Sequence, residues 1–433
     1  MTHSTFIETL DEIDYPLTIL ANEPQADMLF DQDAFLNHLR NTISQNIARV
    51  LIIPATTGSW PDTVLDTITD EMGLMLVNLS AVKTETSSDY DFSIAAHYPP
   101  EKIAKLRSSI DIGAQLQARC LMMEDLTEPM PKVESSTNND ESALLSDSEV
   151  LEEIARLNAD HCLFSTDKIA VYFFKGNESP AALRFIGIGR AITFAAIGAG
   201  SGLSVDLSAE DNYYDHLMLW DKCSNHLVGA YRIGFTEEII NAHGVDAVYL
   251  SSVFDFKQEY YEQLGNAMEL SRSFILPSYQ KNPQMLDALW KGIGHIAQRK
   301  NCFILYGSVT ISASFTPLSQ AILVDSLDRY HSETAELRSC VSASHAFTAQ
   351  TKHHELVASA WAKSGINRLN SVIEDIEHQQ RSIPPLIRYY ISLNAKFLAF
   401  QVEKSFNNAI YCLLKVNLNS LPKRYRKRFL SNK

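Results

Sequence analysis

The order of apolar runs between residues 148 and 330 constrains the fold most. Apolar residues at spacings of three and four predict helices at Ser148–Leu157, Pro180–Gly198, Pro283–Lys300 and Pro317–Tyr330. Shorter apolar runs predict strands at Lys168–Lys175, His216–Asp221, His226–Ile233, Val248–Phe254, Ala267–Leu276 and Cys302–Ile311. Strands and helices in this order predict an α/β fold with a mixed sheet flanked by helices.

The chain on either side of this region has a different character. Residues 1–122 read as a small α/β domain, with strands at 50–54 and 72–79 and a short helix around Val64, Leu65 and Ile68. Residues 123–149 are acidic and poor in apolar residues, which predicts a flexible linker before a core domain at 150–345. Residues 346–433 form an extension, with a helix predicted at Ile383–Phe400 and a strand at Ala409–Val416.

Charge is unevenly distributed along the 433 residues. Residues 1–150 carry 25 acidic and 8 basic side chains, whereas residues 151–433 carry 27 and 29. This balance argues against general nucleic-acid binding, which needs a basic surface. The end of the chain is an exception, because six basic residues and no acidic ones lie between Lys423 and Lys433. Such a segment is either a solvated tail or a surface drawn to anionic lipids or to an acidic carrier protein.

The sequence argues against a metal site, disulfide bonds and a membrane-spanning helix. The six cysteines form no CxxC pair and read as reduced thiols, and His345, His353 and His354 lack a third metal ligand at a suitable spacing. The first residues lack the pattern of a signal peptide, and no stretch approaches about 20 apolar residues. We expect a cytoplasmic protein without a metal, with any membrane contact peripheral.

Charged residues interrupt the apolar runs between 190 and 272. Arg190 lies on the apolar side of its predicted helix, and Arg232 lies inside a predicted strand. A guanidinium stays charged, so a buried one needs a carboxylate or an anionic ligand. Asp211 and Asp215 precede another strand, where they could also be turn formers.

Glu269 and Arg272 lie three residues apart in one predicted strand. That spacing puts them on opposite faces of a regular strand, whereas a bulge would bring them to the same side. These charged groups could be structural ion pairs. Gathered together, they could instead bind a zwitterionic amine and remove its proton.

Residues 150–433 resemble a known family through motifs that occur in its order. The motifs are GIGRAITF, DNYYDHLMLWD, VGAYRIG, ELSRSFILPSY, LWKGIGHIA, YGSVTIS, IPPLIRYYISLNAKFLAF, SFNNAIYCLLKV and RYRKRFL. This run is similar to the ornithine lipid synthase type of acyl-carrier-protein-dependent N-acyltransferases, which have the GNAT fold, and to its hemolysin-like branch. The pattern of arginines and carboxylates also resembles the acyl-homoserine lactone synthases.

The resemblance implies roles for individual residues. Glu269 would be the general base, with Arg232 and Arg272 as its catalytic partners. The residues expected to bind substrate are Arg190, Phe194, Asp211 and Asp215. The sequence departs from the family at Ser392–Ala395, where a glycine-rich segment is usual, and at Ile410, where an aspartate is usual.

The donor and the partners follow from the same resemblance. Relatives that use acetyl-CoA carry a glycine-rich loop before the helix that binds the pyrophosphate. Here the corresponding segment, Pro277–Pro283, contains no glycine, although Lys281 keeps one positive charge. This favours an acyl-carrier-protein thioester as donor substrate and no bound cofactor. The residues expected to face an anionic membrane, on the inner face of the cytoplasmic membrane, are Lys423, Arg424, Arg426, Lys427 and Arg428.

The N-terminal 122 residues faintly resemble part of a glycerol-phosphate or lysophospholipid acyltransferase domain, chiefly in residues 93–106. The histidine–aspartate dyad of that chemistry is missing, so we expect a truncated, inactive remnant.

The resemblance implies transfer of a fatty or 3-hydroxyfatty acyl group from acyl carrier protein to an amino acid amine, such as that of ornithine, to make a lyso-aminolipid. The alternatives are an inactive relative that binds a membrane or an acyl carrier, and an acyl-homoserine-lactone-type synthase.

Overall fold

A computed structural model describes most of the chain after residue 160 and separate segments before it. The described residues are 17–23, 47–54, 73–83, 88–98, 112–122, 125, 141, 148–157, 161–196, 202–362, 365–378 and 380–430. Contacts between Cα atoms divide the chain into two units. The smaller unit is Met1–Pro129, Thr316–Ser326 and Ala349–Ser382, and the larger unit is Met130–Phe315, Leu327–Thr348 and Ile383–Lys433. The domain boundaries given by composition stay a prediction, and most of the predicted linker lies outside the described residues.

The smaller unit is built on a sheet of order β2-β1-β3-β4. Its strands are β1 (Leu17–Glu23), β2 (Ile47–Pro54), β3 (Gly73–Lys83) and β4 (Ser88–Tyr98). Its helices are α1 (Ile112–Met122), α9 (His354–Ala362) and α10 (Ile366–Ile376). The predicted strands at 50–54 and 72–79 are β2 and β3, whereas the helix predicted around Val64 lies outside the described residues. β1 and β4 were missed by the sequence analysis.

The larger unit contains a sheet of order β13-β14-β11-β10-β8-β7-β6-β5. Its strands are β5 (Cys162–Ser165), β6 (Ile169–Lys175), β7 (Asp215–Asp221), β8 (His226–Phe235), β10 (Ala267–Ile275), β11 (Ile304–Ile311), β13 (Lys396–Glu403) and β14 (Ala409–Asn417). β10 and β11 are parallel and the other neighbours are antiparallel, so the sheet is mixed as predicted. Two short strands, β9 (Asp255–Phe256) and β12 (Val341–Ser342), pair separately.

Helices cover both faces of this sheet. The helices of the larger unit are α2 (Ser148–Leu157), α3 (Pro180–Ala196), α4 (Thr236–His243), α5 (Gln258–Leu264), α6 (Pro283–Lys300), α8 (Ala335–Arg338), α11 (Pro385–Ser392) and α12 (Lys423–Phe429). α7 (Pro317–Tyr330) has residues in both units. α2 and α3 pack in one apolar core with side chains of β6, β7, β8 and β10, and we call this side the α3 face. α6 covers the opposite side, where a Cβ at Gly292 would lie 2.9 Å from Leu217 and Val171 side-chain atoms.

Two predicted elements are wrong. The predicted strand Val248–Phe254 is a 3-10 turn at Tyr249–Ser252, because a short apolar run does not distinguish a strand from a buried turn. The predicted helix Ile383–Phe400 is α11 followed by β13. Asn394 adopts φ 63° between them, a left-handed conformation that ends helices. The apolar residues of both elements had merged into one pattern.

No helix among the described residues is both long and apolar enough to cross a membrane.

The basic segment near the end of the chain is a docked helix. In α12, Phe429 is 2% exposed and its ring lies 5.9 Å from that of Trp290 on α6. A Cβ at Gly294 would lie 2.1 Å from the Phe429 carbonyl oxygen, so glycine allows the close approach of α12 to α6. Lys423, Arg424, Arg426, Lys427 and Arg428 are exposed, and Arg428 bonds to Asp287 on α6.

We expect Phe429→Ala to lower the free energy of unfolding by about 3 kcal/mol, because it removes a buried aromatic ring and leaves a cavity against Trp290. Chemical denaturation measures the difference. Arg426→Ala changes an exposed position of the same helix and should change stability by less than about 0.5 kcal/mol. Equal losses in the two variants would contradict the docking of α12 through Phe429.

Candidate active site

A bulge in β10 brings its two charged side chains to one face of the sheet. Ser271 pairs with Arg232 and Phe274 pairs with Ala230, so Arg272 and Ser273 are opposite a single residue of β8. Arg272 has φ 50°, in the left-handed region that costs a non-glycine residue of order 1 kcal/mol. Its guanidinium lies 5.2 Å from the Tyr249 ring, against which Arg232 also packs. Because Glu269 and Arg272 are three residues apart, a bulge of this kind is what brings both side chains to the same side of the strand.

β10 and β11 separate just beyond this point. They pair from Ala267–Leu270 to Ile304–Gly307, whereas β11 continues to pair with β14 as far as Ile311. A Cβ at Gly307 would lie 2.4 Å from the Leu270 carbonyl oxygen, so only glycine fits at the last paired position. The separation leaves the two strands splayed next to Glu269 and Arg272.

Asp211 is the centre of the buried charges on the α3 face. Its side chain is 2% exposed and accepts hydrogen bonds from Arg190 Nη1 at 2.7 Å and from Arg232 Nη1 at 3.4 Å. The Ser208 backbone N–H donates to its second oxygen at 2.8 Å, in a capping box at the 3-10 turn Ala209–Asn212. Burial alone would raise the pKa of Asp211, but Arg190 and Arg232 outweigh it and hold this pKa below its ordinary value.

Arg190 is fully buried and ties α3 to this centre. Its Nη1 also donates to the Asp206 carbonyl at 3.3 Å, and its Nη2 lies 3.4 Å from His216 Nδ1. His216 Nε2 lies 3.2 Å from the Asp211 carbonyl, so the neutral tautomer protonated on Nε2 satisfies both contacts. Burial and Arg190 lower the pKa of His216 to about 4, which keeps the ring neutral.

Arg232 is held in place by hydroxyl groups and aromatic rings. Nε donates to Ser271 Oγ at 3.0 Å and Nη1 to Ser208 Oγ at 2.9 Å. The guanidinium lies 4.6 Å from the Tyr249 ring centre and 5.1 Å from that of Tyr214. Arg232 is fully buried, and its Nη2 has no hydrogen-bond partner among the described residues.

Glu269 is fully buried, and the hydroxyl of Tyr214 forms a hydrogen bond with one of its two carboxylate oxygens. The Tyr214 hydroxyl lies 2.9 Å from Oε2, whereas Oε1 has no hydrogen-bond partner within the described parts of the chain. Burial raises the pKa of Glu269 to about 7, although Arg232, the Tyr214 hydrogen bond and the Leu250 backbone N–H all favour the ionised form. A carboxyl group with a pKa near neutrality can accept and release a proton.

Arg272 and Phe194 lie at the edge of the cluster. Arg272 Nε is 3.6 Å from Asp206 Oδ2, and both side chains are partly accessible, at 17% and 10%. The Arg272 guanidinium lies 5.8 Å from the Phe406 ring, which contacts the rings of Phe194 and Tyr411. Phe194 therefore belongs to an aromatic wall beside Arg272.

Asp215 is not brought into this cluster. It is half-buried at the start of β7, where it pairs with Lys175 and Ile233. The next residue, His216, faces Arg190, so the alternation of the strand points Asp215 to the other face. Burial raises the pKa of Asp215 to about 6, against the influence of Lys175 and Lys300. The structure therefore places Asp215 among neighbours other than the arginines of the cluster.

The structure adds residues that the sequence analysis did not select. They are Ser208, Tyr214, His216, Tyr249 and Ser271. Tyr214 and His216 belong to the quoted DNYYDHLMLWD motif. Their position beside Asp211 and Asp215 in the sequence was the feature from which they could have been predicted as site residues.

The two departures from the family pattern have structural partners here. Ile410 is 1% exposed and pairs with Ile311 and Val402 inside the sheet. Ser392 Oγ lies 2.9 Å from the Tyr425 hydroxyl of α12. Ile410 therefore stabilises the sheet, and Ser392 stabilises the docked helix α12.

The segment before α6 is stabilised by the chain's own side chains. Asn282 Oδ1 accepts from the Gln284 backbone N–H at 3.1 Å and so caps α6. Glu141 accepts from Ser278 Oγ at 2.8 Å, which puts a carboxylate at this segment.

A group of possible metal ligands lies in the smaller unit. Asp325, His354 and Glu355 bring ligand atoms within 4.8 Å of one another. The sequence analysis found no third ligand for the histidines because the carboxylate of Asp325 is distant in sequence.

Comparison with known proteins identifies the architecture. A protein-family model described as an acetyltransferase (GNAT) domain matches residues 190–291, which contain the arginines, Asp211 and Glu269. The fold of the larger unit is GNAT-like. Its mixed sheet flanked by helices, with β10 and β11 splayed beside Glu269, confirms the predicted fold class.

Two curated relatives extend the similarity beyond this domain. Both are named glycine N(alpha)-acyltransferase, from Phocaeicola vulgatus and Bacteroides thetaiotaomicron, and they are 26% and 27% identical over 260 residues. Each match covers 57% of this chain and 79% or 76% of the relative. The family model and these relatives support a GNAT-fold N-acyltransferase.

Among solved structures, the AHL synthase LasI covers 61% of this chain and 98% of its own, at 9% identity and a TM-score of 0.32. A likeness of this degree has no bearing on function.

Proposed function

We propose that this GNAT-like domain transfers a fatty or 3-hydroxyfatty acyl group from the thioester of acyl carrier protein to the α-amine of an amino acid. One observation carries the proposal. Glu269 Oε1 and Arg232 Nη2 are buried on the same sheet face, and neither has a hydrogen-bond partner among the described residues. A carboxylate oxygen and a guanidinium nitrogen in such positions match the ammonium and the carboxylate of an α-amino acid.

The proposed reaction needs one proton acceptor and one oxyanion donor. Glu269 Oε1 takes a proton from the acceptor's ammonium group, and the neutral amine attacks the thioester carbonyl. A backbone N–H at the separation of β10 and β11 stabilises the tetrahedral oxyanion. The C–S bond then breaks, the amide forms, and the thiolate leaves with a proton from the amine nitrogen.

A carrier-protein donor is supported by the segment before α6. Coenzyme A would place a pyrophosphate near the first turn of this helix, where backbone N–H groups bind anions. Here the N–H of Gln284 is occupied by Asn282, and the Glu141 carboxylate bonds to Ser278. A negative charge at this segment disfavours a pyrophosphate, so we propose an acyl-carrier-protein thioester instead.

The unpaired Glu269 and Arg232 atoms support an amino acid as the acceptor, and the relatives suggest which amino acid it is. The family resemblance suggests ornithine, and the curated relatives carry the name glycine N(alpha)-acyltransferase. Arg272 is partly accessible beside the buried pair, which suits it to the acceptor carboxylate. We propose that Arg232 and Arg272 bind this carboxylate for either amino acid.

The exposed basic side of α12 supports a peripheral partner. It carries Lys423, Arg424, Arg426, Lys427 and Arg428 on a helix fixed to the domain by Phe429. Such a surface fits an acidic acyl carrier protein or the anionic inner face of the cytoplasmic membrane. A non-catalytic protein that binds a membrane through α12 is the alternative.

Mass spectrometry of the products tests the proposal. The purified protein is supplied with 3-hydroxypalmitoyl thioesters of acyl carrier protein or of coenzyme A, and with glycine, ornithine or a pool of all amino acids. We expect an acyl-amide to form with release of an equal amount of thiol, faster from the carrier protein than from coenzyme A.

Each outcome decides between the two functions. No acyl-amide from the folded protein with any donor or amino acid would overturn the proposal. Retention of such an inactive protein on anionic vesicles, lost in the Lys423→Glu/Arg426→Glu variant, would establish the membrane binder instead. That variant keeps Phe429, so α12 stays docked, and Lys257→Glu is the matched change at another exposed position.

A further inference from the structure

Tyr214 connects Oε2 of Glu269 to the backbone of Tyr249. It is fully buried immediately before β7, and its hydroxyl lies 2.9 Å from Glu269 Oε2 and 2.8 Å from the Tyr249 backbone nitrogen. A Cβ at Gly234 would lie 2.3 Å from Cε1 of the Tyr214 ring. The ring thus fills a space that glycine leaves open on the neighbouring strand.

The partners of this hydroxyl fix the direction of its hydrogen bonds. The Tyr249 backbone N–H can only donate, so the hydroxyl oxygen accepts from it. The single hydroxyl proton is then directed to Glu269 Oε2. A hydrogen bond to an ionised carboxylate is about twice as strong as one between neutral groups, so this bond favours the charged form of Glu269.

We propose that Tyr214 is a positioning residue that occupies Oε2 of Glu269 and leaves Oε1 as the atom that takes the proton of the acceptor amine. The inference rests on the proposed acyl transfer for the identity of that amine. Tyr214 donates to the base and does not touch the reacting atoms.

Other titratable groups face Glu269 from every element around it. They are Arg232 from β8, Glu210, Tyr213 and Tyr214 from the segment before β7, Tyr260 and Tyr261 from α5, and Tyr306 from β11. Burial raises the pKa of Tyr260 and of Tyr306 far above neutrality, so both stay protonated. Arg232 lowers the pKa of Glu269, and Glu210 raises it.

Tyr260 is the matched control. It is fully buried in the same cluster and close enough to Glu269 to interact electrostatically, but its hydroxyl has no hydrogen-bond partner in the described part of the chain. Tyr260→Phe therefore removes the same atom from the same surroundings without removing a bond to the base.

The test compares Tyr214→Phe, Tyr260→Phe and the wild-type protein by two readouts. The first is the pH profile of kcat/KM for acyl transfer, whose acid limb reports the pKa of the base in the free enzyme. The second is a ¹³C NMR titration of the glutamate side-chain carboxyl groups, with the Glu269 signal assigned by its loss in Glu269→Gln. The NMR titration needs no activity.

We expect Tyr214→Phe to move both the acid limb and the NMR titration of Glu269 to higher pH by about one unit, which lowers kcat/KM about tenfold below that midpoint. Tyr260→Phe should leave both unchanged. Gly234→Ala keeps the hydroxyl but displaces the ring, and it should shift both readouts in the same direction as Tyr214→Phe.

Two results would overturn the inference: an NMR midpoint for Glu269 that is unchanged in both Tyr214→Phe and Gly234→Ala, or an equal shift in Tyr260→Phe. If the wild-type protein forms no acyl-amide, the proposed function fails, and the NMR titration still decides whether Tyr214 controls Glu269.

Discussion

Glu269→Gln is expected to lower the rate of acyl transfer by a factor of about 10²–10⁴, the usual contribution of a general base. Glutamine has nearly the same shape and keeps an oxygen that can accept from Tyr214, but it does not take up a proton from the acceptor amine. In the wild-type protein, kcat/KM should rise as the pH increases through about 7, because burial raises the pKa of Glu269 to that value. Steady-state rates between pH 5 and 9 measure both effects.

The same substitution should not weaken the fold, and this separates catalysis from stability. The pKa of Glu269 is raised in the folded state, so its contribution to stability is fully present below the ordinary glutamate pKa and is lost as the pH rises through about 7. Glutamine does not titrate. We therefore expect Glu269→Gln to be at least as stable as the wild-type protein above pH 7, by chemical denaturation.

Glu259→Gln is the matched control, because it makes the same chemical change at an exposed position of α5. Its rates and its stability should equal those of the wild-type protein. A Glu269→Gln variant that is folded and retains more than a tenth of the wild-type rate at pH 7 would show that another group takes the proton.

The elements predicted well from the sequence are those with long, regular patterns and clear ends. α6 begins and ends as predicted at Pro283 and Lys300, since its apolar stripe is long and Asn282 and Asn301 cap it. Short apolar segments are different, because burial makes strands, turns and helices equally apolar. The turn at Tyr249–Ser252 and the join between α11 and β13 were lost for that reason.

The candidate site was predictable as a set of residue types but not as an arrangement. Buried arginines need carboxylates, and in the structure both Arg190 and Arg232 pair with Asp211. Asp211 lies in the 3-10 turn before β7, whereas Asp215 lies in β7 itself, where strand alternation points it away from the arginines. The bond from Tyr214 to Glu269 joins residues 55 positions apart, so only strand pairing in the folded chain reveals it.

Asp211→Asn is expected to have the largest effect on stability, a loss of about 3–5 kcal/mol in the free energy of unfolding. The amide has the shape of the carboxylate but no charge, so the guanidinium groups of Arg190 and Arg232 remain buried without their shared counter-ion. The full difference in the free energy of unfolding between the wild-type protein and Asp211→Asn should be present at neutral pH. The pKa of Asp211 is lowered in the folded state, so the wild-type advantage is lost only as the pH falls through that low value.

Two further variants decide whether the loss comes from unpaired charge. Glu210→Gln removes a carboxylate that is 3.8 Å from Arg232 and 25% exposed, and it should cost less than about 1 kcal/mol. Arg190→Met combined with Asp211→Asn removes one of the two unpaired cations, so the double variant should be more stable than the sum of the single losses predicts. Strict additivity would mean that Asp211 stabilises the fold through contacts that are independent of Arg190, namely those with Arg232 and with the Ser208 backbone N–H.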